Sequence, residues 1–422
     1  MRKAITAFFR MTLRIFFRRI ELVGLERVPR ERAVIFACNH PNGLVDPLFL
    51  LCFTERPVSF LGKAPLFRYP FIGWLVRLFE TIPVYRKQDN TAGTNHETFE
   101  RSRALLGRGG AIAIFPEGTT HDDPQLRELK TGAARIALGA SLDDLLVVPT
   151  GIYYTAKHRF RSAALVVFGE PLHVQPVAVD DPPPEDVERL TDAIDAGLDA
   201  VTVQADSHAA LELVGRLEDI FTADHEQPLV EEFELRRRFV VGYHYLRTRD
   251  PERLRRLLSA VAQFESSLRR AKIGVHGLKP RISFGRLRRV LVMLPLAVAG
   301  AIVSYPAYRL VGVLAHRFSK GESAVMATIK FLAAMLLYPL TYLLVAIFAG
   351  VRFGWMAGLA TGLALPFLGY IALIVFEDID RIIGDLRALG YRLFRRYGYE
   401  RLVAQRRAIR DEIATVAREL GY

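Results

Sequence analysis

His40 and Asp46 lie in the run Asn39-His40-Pro41-Asn42-Gly43-Leu44-Val45-Asp46, and a second acidic turn, Phe115-Pro116-Glu117-Gly118-Thr119, follows further along the chain. Imidazole titrates near neutral pH, so His40 can take the proton of a hydroxyl as that hydroxyl attacks a carbonyl. Asp46 is placed to hold the ring in one tautomer and to stabilise its charged form. Asp46 also precedes Pro47 and would serve as a helix N-cap, a role compatible with the first. A base with a carboxylate partner suits acyl transfer to an alcohol. A metal centre would need further ligands, and His96, His121 and His158 stand at no ligand-like spacing. A serine nucleophile would want Gly-x-Ser-x-Gly, which the sequence lacks.

Cations accompany this pair. Arg86 closes the run Ile82-Pro83-Val84-Tyr85-Arg86, where a guanidinium could grip a phosphate through two parallel hydrogen bonds or simply sit at the surface. Lys63 ends an earlier apolar run and could neutralise a phosphate or an oxyanion. Glu117 reads either as a functional acid or as an ordinary strand exit, with Gly118 permitting a close approach that a side chain would block. Cys38 and Cys52 are the only cysteines, which supports no disulfide framework and fits a reducing, cytoplasm-facing domain.

The elements that must position these residues follow from apolar patterning. Short continuous apolar runs at 33–38, 57–61, 111–115, 145–154 and 165–168, with the run ending at Arg86, read as buried strands. Helical stretches at 47–53, 67–79, 94–106 and 131–140 alternate with them. That alternation predicts an α/β core with a mostly parallel sheet, whose working residues gather past the strand C-termini. His40, Arg86 and Glu117 all fall there.

The chain has 422 residues, a mean hydropathy of +0.17 and a formal net charge of +12. Uncharged runs at 290–308, 331–351 and 353–376 are each long enough to cross a bilayer as a helix. The basic balance is therefore assigned to membrane surface and phosphorylated substrates, with no nucleic-acid partner. Basic residues flank every run, so three full crossings conflict with the positive-inside tendency; a hairpin over 331–376 is simple, and 290–308 either spans or is re-entrant. Residues 1–22 read as a basic amphipathic interfacial helix, with Phe9, Leu13, Phe16, Phe17 and Ile20 on one face and Arg10, Arg14 and Arg18 in a stripe. A mitochondrial targeting helix is the competing reading. The expected organisation is then a catalytic domain over 23–179, a helical region over 180–284 with Arg236-Arg237-Arg238 and 253–256 on solvated faces, membrane segments over 285–376 and a basic helical tail over 377–422.

Asn39-His40-Pro41 through Asp46-Pro47, Lys63 with residues 70–73, Ile82 to Arg86, Phe115 to Thr119 and Val147-Val148-Pro149-Thr150-Gly151 resemble, in order and spacing, the blocks of the glycerophospholipid acyltransferases. His121-Asp122, residues 129–140 and residues 158–162 resemble the branch that includes fungal glycerol-3-phosphate and dihydroxyacetone-phosphate acyltransferases. The resemblance implies His40 as base, Asp46 as its relay partner, and Arg86, Glu117 and Gly118 in the acceptor phosphate and glycerol site, with Thr119 a minor member. It implies acyl-CoA or acyl-carrier-protein as donor, a glycerol-phosphate acceptor, no metal and no other cofactor. One departure stands out: five residues separate His40 from Asp46 where four are usual, and a bulge at Asn42-Gly43 would let them meet. The expected protein is an integral membrane acyltransferase of phospholipid synthesis with a cytoplasmic catalytic face. Acylation of headgroup-bearing lysolipids, and a silent lipid-binding protein, are the alternatives.

Overall fold

The computed structural model describes residues 1–85, 95–157, 159–177, 182–223, 227–278, 283–319 and 323–422; Arg86 and His158 fall outside them. The chain divides into two compact units, Met1–Ser207 with Gly321–Thr328, and His208–Lys320 with Ile329–Tyr422.

The first unit is a sheet covered by helices. In chain order its elements are α1 (Arg2–Phe16), β1 (Arg19–Val23), β2 (Val34–Cys38), α2 (Val45–Phe53), β3 (Val58–Lys63), α3 (Pro70–Leu78) and β4 (Ile82–Val84). Then come α4 (Asn95–Gly107), β5 (Ala111–Ile114), α5 (Gly132–Gly139), β6 (Leu146–Tyr154), β7 (Ala163–Phe168), β8 (Leu172–His173) and α6 (Pro184–Ala200). The strand order is β1-β7-β6-β2-β5-β3-β4, with β8 also on β6. Among the described residues, only the β6–β7 and β6–β8 pairings are antiparallel.

β2 is central and fully buried, as its unbroken apolar sequence requires. Ile35 and Ala37 join Ile112, Val147, Ala134 of α5 and Ile194 of α6 in one core layer, while Phe36 packs edge-on to Phe168 at 6.0 Å between centroids. Because β2, β3, β4, β5 and β6 run parallel, their C-terminal ends share one edge of the sheet. Cys38, Lys63, Val84, Ile114 and Tyr154 end there, so the chain segments carrying His40 and Glu117 emerge side by side.

Three expectations need correction here. The N-terminal helix stops at Phe16, and Arg19–Val23 pairs in parallel with β7 instead of continuing it. Phe17 is already extended, and Ile20, Leu22 and Val23 favour the strand. The face expected at the lipid interface also turns inward. Phe9, Leu13, Phe16 and Phe17 are buried, Phe17 packs 5.4 Å from Phe49 of α2, and Arg10 Nε donates to the Cys52 carbonyl at 2.7 Å. Phe8, Met11 and Ile15 form the stripe left exposed. Finally, the catalytic domain does not end at 179: Val187, Ile194 and Leu198 of α6 belong to the core of the sheet.

The second unit is helical: α7 (His208–Thr222), α8 (Leu229–Arg249), α9 (Pro251–Ala271), α10 (Phe284–Phe318), most of α11 (Ser323–Phe353), α12 (Trp355–Phe394) and α13 (Arg396–Glu419). Three of its helices, α10, α11 and α12, are long and apolar enough to cross a membrane. α12 runs unbroken from Trp355 to Phe394, across the expected boundary between membrane segment and tail at 377. α10 and α12 lie antiparallel: Arg286 pairs with Asp385 at 3.6 Å and Arg289 with Asp378 at 3.3 Å, and a Cβ on Gly300 would come within 2.1 Å of the Leu368 carbonyl. The arginine clusters are not purely solvated. Arg236 pairs with the buried Glu218, and Arg253 bonds Glu412 and Glu419 of α13.

Candidate active site

The site is assembled from the loop after β2. Asn39 extends the β2–β6 ladder with its side chain, donating from Nδ2 to the Ile152 carbonyl at 3.1 Å and accepting the Ile152 N–H at 2.7 Å. His40 follows, its ring stacked on Phe115 with centroids 4.0 Å apart. Nδ1 meets Asp46 Oδ2 at 2.9 Å. The carboxylate is an acceptor, so Nδ1 carries the proton and Nε2 is left as the basic nitrogen. The His40 side chain is 15% exposed and that of Asp46 is 0%. This is the arrangement a general base needs: one nitrogen oriented by a buried acid, the other without a hydrogen-bond partner among the described residues.

The extra residue between His40 and Asp46 is absorbed by a turn. The Asn42 N–H donates to Asp46 Oδ2 at 2.7 Å, and the Asp46 N–H returns a bond to the Asn42 carbonyl at 3.1 Å. Gly43 adopts no positive φ, so the expected use of its left-handed freedom is corrected. It is small where space is short, a Cβ falling 3.2 Å from Thr328 Oγ1. Asp46 is not the N-cap, which is Leu44. It sits in the first turn of α2, where the helix dipole favours a carboxylate.

Asp46 has a third donor that sequence reasoning missed. Tyr154, at the end of β6, donates its hydroxyl to Asp46 Oδ1 at 2.5 Å. Burial pushes the Asp46 carboxyl upward, an effect partly offset by the donors from His40, Tyr154 and Asn42. Burial, then the charge of Asp46, pushes the Tyr154 phenol well above its ordinary range, so it stays a donor. No signal in the sequence near position 154 marks this contact. Only the parallel pairing of β2 with β6 brings the two residues together.

Glu117 lies on the turn just after β5. It is 3% exposed. Its Oε1 accepts the His40 backbone N–H at 3.0 Å and its Oε2 accepts the Arg127 N–H at 3.0 Å. His121 Nδ1 accepts the Asp123 N–H at 3.1 Å, so its Nε2 carries a proton and donates it to Glu117 Oε2. The His121 N–H also reaches the His40 carbonyl at 3.4 Å. Glu117 therefore ties the loop carrying His40 to the turn after β5. Gly118 supports the turn with φ +70°, and a Cβ there would fall 2.5 Å from Lys130 Nζ.

The cations are arranged around the same sheet edge. Lys63, exposed, pairs in register with Val84, two residues before Arg86. Thr119 is half-buried on the turn. Lys157, also missed, donates to the Pro41 carbonyl at 3.1 Å and pairs with Asp122. A cavity of about 660 Å³ opens beside β4 rather than over His40, with Arg68, Arg77, Arg101, Arg108 and Tyr85 in its wall. Cys38 is fully buried, and burial pushes its thiol upward, out of range of a nucleophile.

Comparison with known proteins finds similarity over two stretches of the chain. A family model described as Acyltransferase matches residues 19–153, and one described as Glycerol-3-phosphate acyltransferase 2 C-terminal domain matches residues 220–421. The chain is 25% identical to glycerol-3-phosphate O-acyltransferase 1 of Saccharomyces cerevisiae, over 96% of this chain and 69% of that protein. It is 27% identical to an uncharacterised acyltransferase of Schizosaccharomyces pombe, over 78% of this chain and 65% of that protein. A chloroplastic 1-acyl-sn-glycerol-3-phosphate acyltransferase of Arabidopsis thaliana is 28% identical over 33% of this chain and 38% of its own length. The chain thus spans about two thirds of the two yeast relatives' length.

Proposed function

We propose that this two-domain chain is a membrane-bound O-acyltransferase that moves a fatty acyl group from acyl-CoA or acyl-carrier-protein to a hydroxyl of glycerol-3-phosphate or 1-acylglycerol-3-phosphate, on the cytoplasmic face. The observation that carries the reading is the His40–Asp46 pair at 2.9 Å, with Nε2 left as the base. His40 Nε2 takes the acceptor's hydroxyl proton, the oxygen attacks the thioester carbonyl, and the tetrahedral oxyanion collapses to expel the thiolate, which recovers the proton from His40. Proton and leaving group balance without a covalent enzyme intermediate. Two donors are assigned to the oxyanion: Lys63, and the side-chain amide of Asn42, which is buried and without a protein partner among the described residues.

Glycerol-3-phosphate is the favoured acceptor. The relative named for it aligns with 96% of the chain, and the second domain bears its name. The relative named for the monoacyl acceptor aligns with 33%. Arg86 is assigned to the acceptor phosphate, Gly118 and Thr119 to the glycerol side of the site, and no metal or other cofactor takes part. Three apolar helices support a bilayer location, where acyl chains and lipid products partition.

Radiolabelled acyl-CoA offered with glycerol-3-phosphate, its monoacyl derivative and a series of lysophospholipids tests the reading. Label is expected in the monoacyl product of glycerol-3-phosphate. Label confined to headgroup-bearing lipids would replace the acceptor, and no labelled lipid with any acceptor would reject the activity.

A further inference from the structure

The proposed chemistry leaves one buried group unused. Tyr154 is 9% exposed and ends β6, its ring held between Phe17 at 5.6 Å and Phe49 at 5.9 Å. Its hydroxyl is directed at Asp46 Oδ1, while Oδ2 serves both His40 Nδ1 and the Asn42 N–H. The result is a continuous chain from Tyr154 through Asp46 to the imidazole. Around the fully buried Asp46 such bonds polarise one another and act as a unit.

We propose that Tyr154 is a positioning residue for acyl transfer: by binding Asp46 Oδ1 it fixes the carboxylate plane toward His40 and tempers the pull of Asp46 on Nδ1, which sets the basicity of Nε2. The inference rests on His40 acting as the base. A carboxylate stripped of this donor is less well solvated and binds an imidazolium more strongly. His40 would then hold its proton to higher pH and be a base only in more alkaline solution. The other titratable groups facing the pair are Cys38 on β2, Glu117 and His121 after β5, and Lys157 with Asp122 at the Pro41 carbonyl. None bonds Asp46 Oδ1 among the described residues, so Tyr154 alone controls that oxygen.

The test is Tyr154→Phe, which keeps the ring and its packing, with Tyr153→Phe as control. Two readouts are taken: the pH profile of kcat/KM, and the pH dependence of diethylpyrocarbonate modification at His40, quantified by mass spectrometry. Tyr154→Phe is expected to move the acidic limb of the rate profile, and the half-modification point of His40, upward by about half to one pH unit. At the optimum kcat/KM should fall about ten-fold. In an Asp46→Asn background the same substitution should leave the His40 modification profile unmoved. Incorporating 3-fluorotyrosine at position 154 preserves the fold and strengthens the donor, and should move both profiles the opposite way. A uniform loss of rate at every pH with both profiles in place would overturn the proposal and leave Tyr154 as packing. The modification readout needs no turnover, so an inactive wild type would reject the acyl-transfer reading while the role of Tyr154 is still decided.

Discussion

Replacing Glu117 separates a clamp from a ligand. Glu117→Ala removes the acceptor of the His40 N–H and of the Arg127 N–H, each at 3.0 Å, and the partner of His121, from a position 3% exposed. A buried N–H left without an acceptor costs about 1–3 kcal/mol, so the two together amount to about 2–6 kcal/mol. For a unit of this size about 1 kcal/mol corresponds to about 2–4 °C, which predicts an apparent Tm lower by roughly 4–24 °C. Glu117→Gln keeps one oxygen and should lose about half as much. Displacing the His40 backbone by about 1 Å is expected to lower kcat about 100-fold. The acceptor KM is expected to stay within about two-fold, because both carboxylate oxygens are engaged by hydrogen bonds to protein. Steady-state kinetics with varied glycerol-3-phosphate, beside a thermal melt, reads both. A KM raised ten-fold with kcat and Tm intact would place Glu117 against the acceptor and remove its role as a clamp.

Asp46→Asn should lower kcat about 100-fold or more by releasing the imidazole tautomer. It should also change the pH dependence of stability. Burial raises the folded carboxyl above its unfolded value, so the group favours the folded state most below the unfolded pKa and loses that contribution as pH rises through the folded one. The variant's melting temperature relative to wild type is therefore expected to be higher at pH 7 than at pH 4, and a flat difference would contradict the direction. Arg86→Ala should raise the acceptor KM with kcat nearly kept; selective loss of acyl-CoA binding instead would move the phosphate site elsewhere.

Much of the catalytic unit was legible because its physics is local. β2 and β5 read as buried strands from unbroken apolar runs, and their shared direction places His40 and Glu117 at one edge. The contacts that decide roles were not legible, since they depend on pairing across distance. Tyr154 reaches Asp46 over 108 positions and Glu117 reaches the His40 amide over 77. Amphipathic spacing in α1 showed that Phe9, Leu13 and Phe16 would be buried but not that α2 and its neighbours, rather than lipid, would bury them. The same holds for α6, whose charged surface hid a face made for the sheet.

The most direct test is the initial rate of acyl transfer from labelled acyl-CoA to glycerol-3-phosphate by the wild-type chain in liposomes, beside His40→Ala. General-base assistance of this kind contributes about 10²- to 10⁴-fold. A loss of that size, with acceptor binding retained and no labelled protein trapped on rapid quenching, is the expected result. Equal rates from the two proteins, or a kinetically competent acyl-protein, would contradict direct attack assisted by His40.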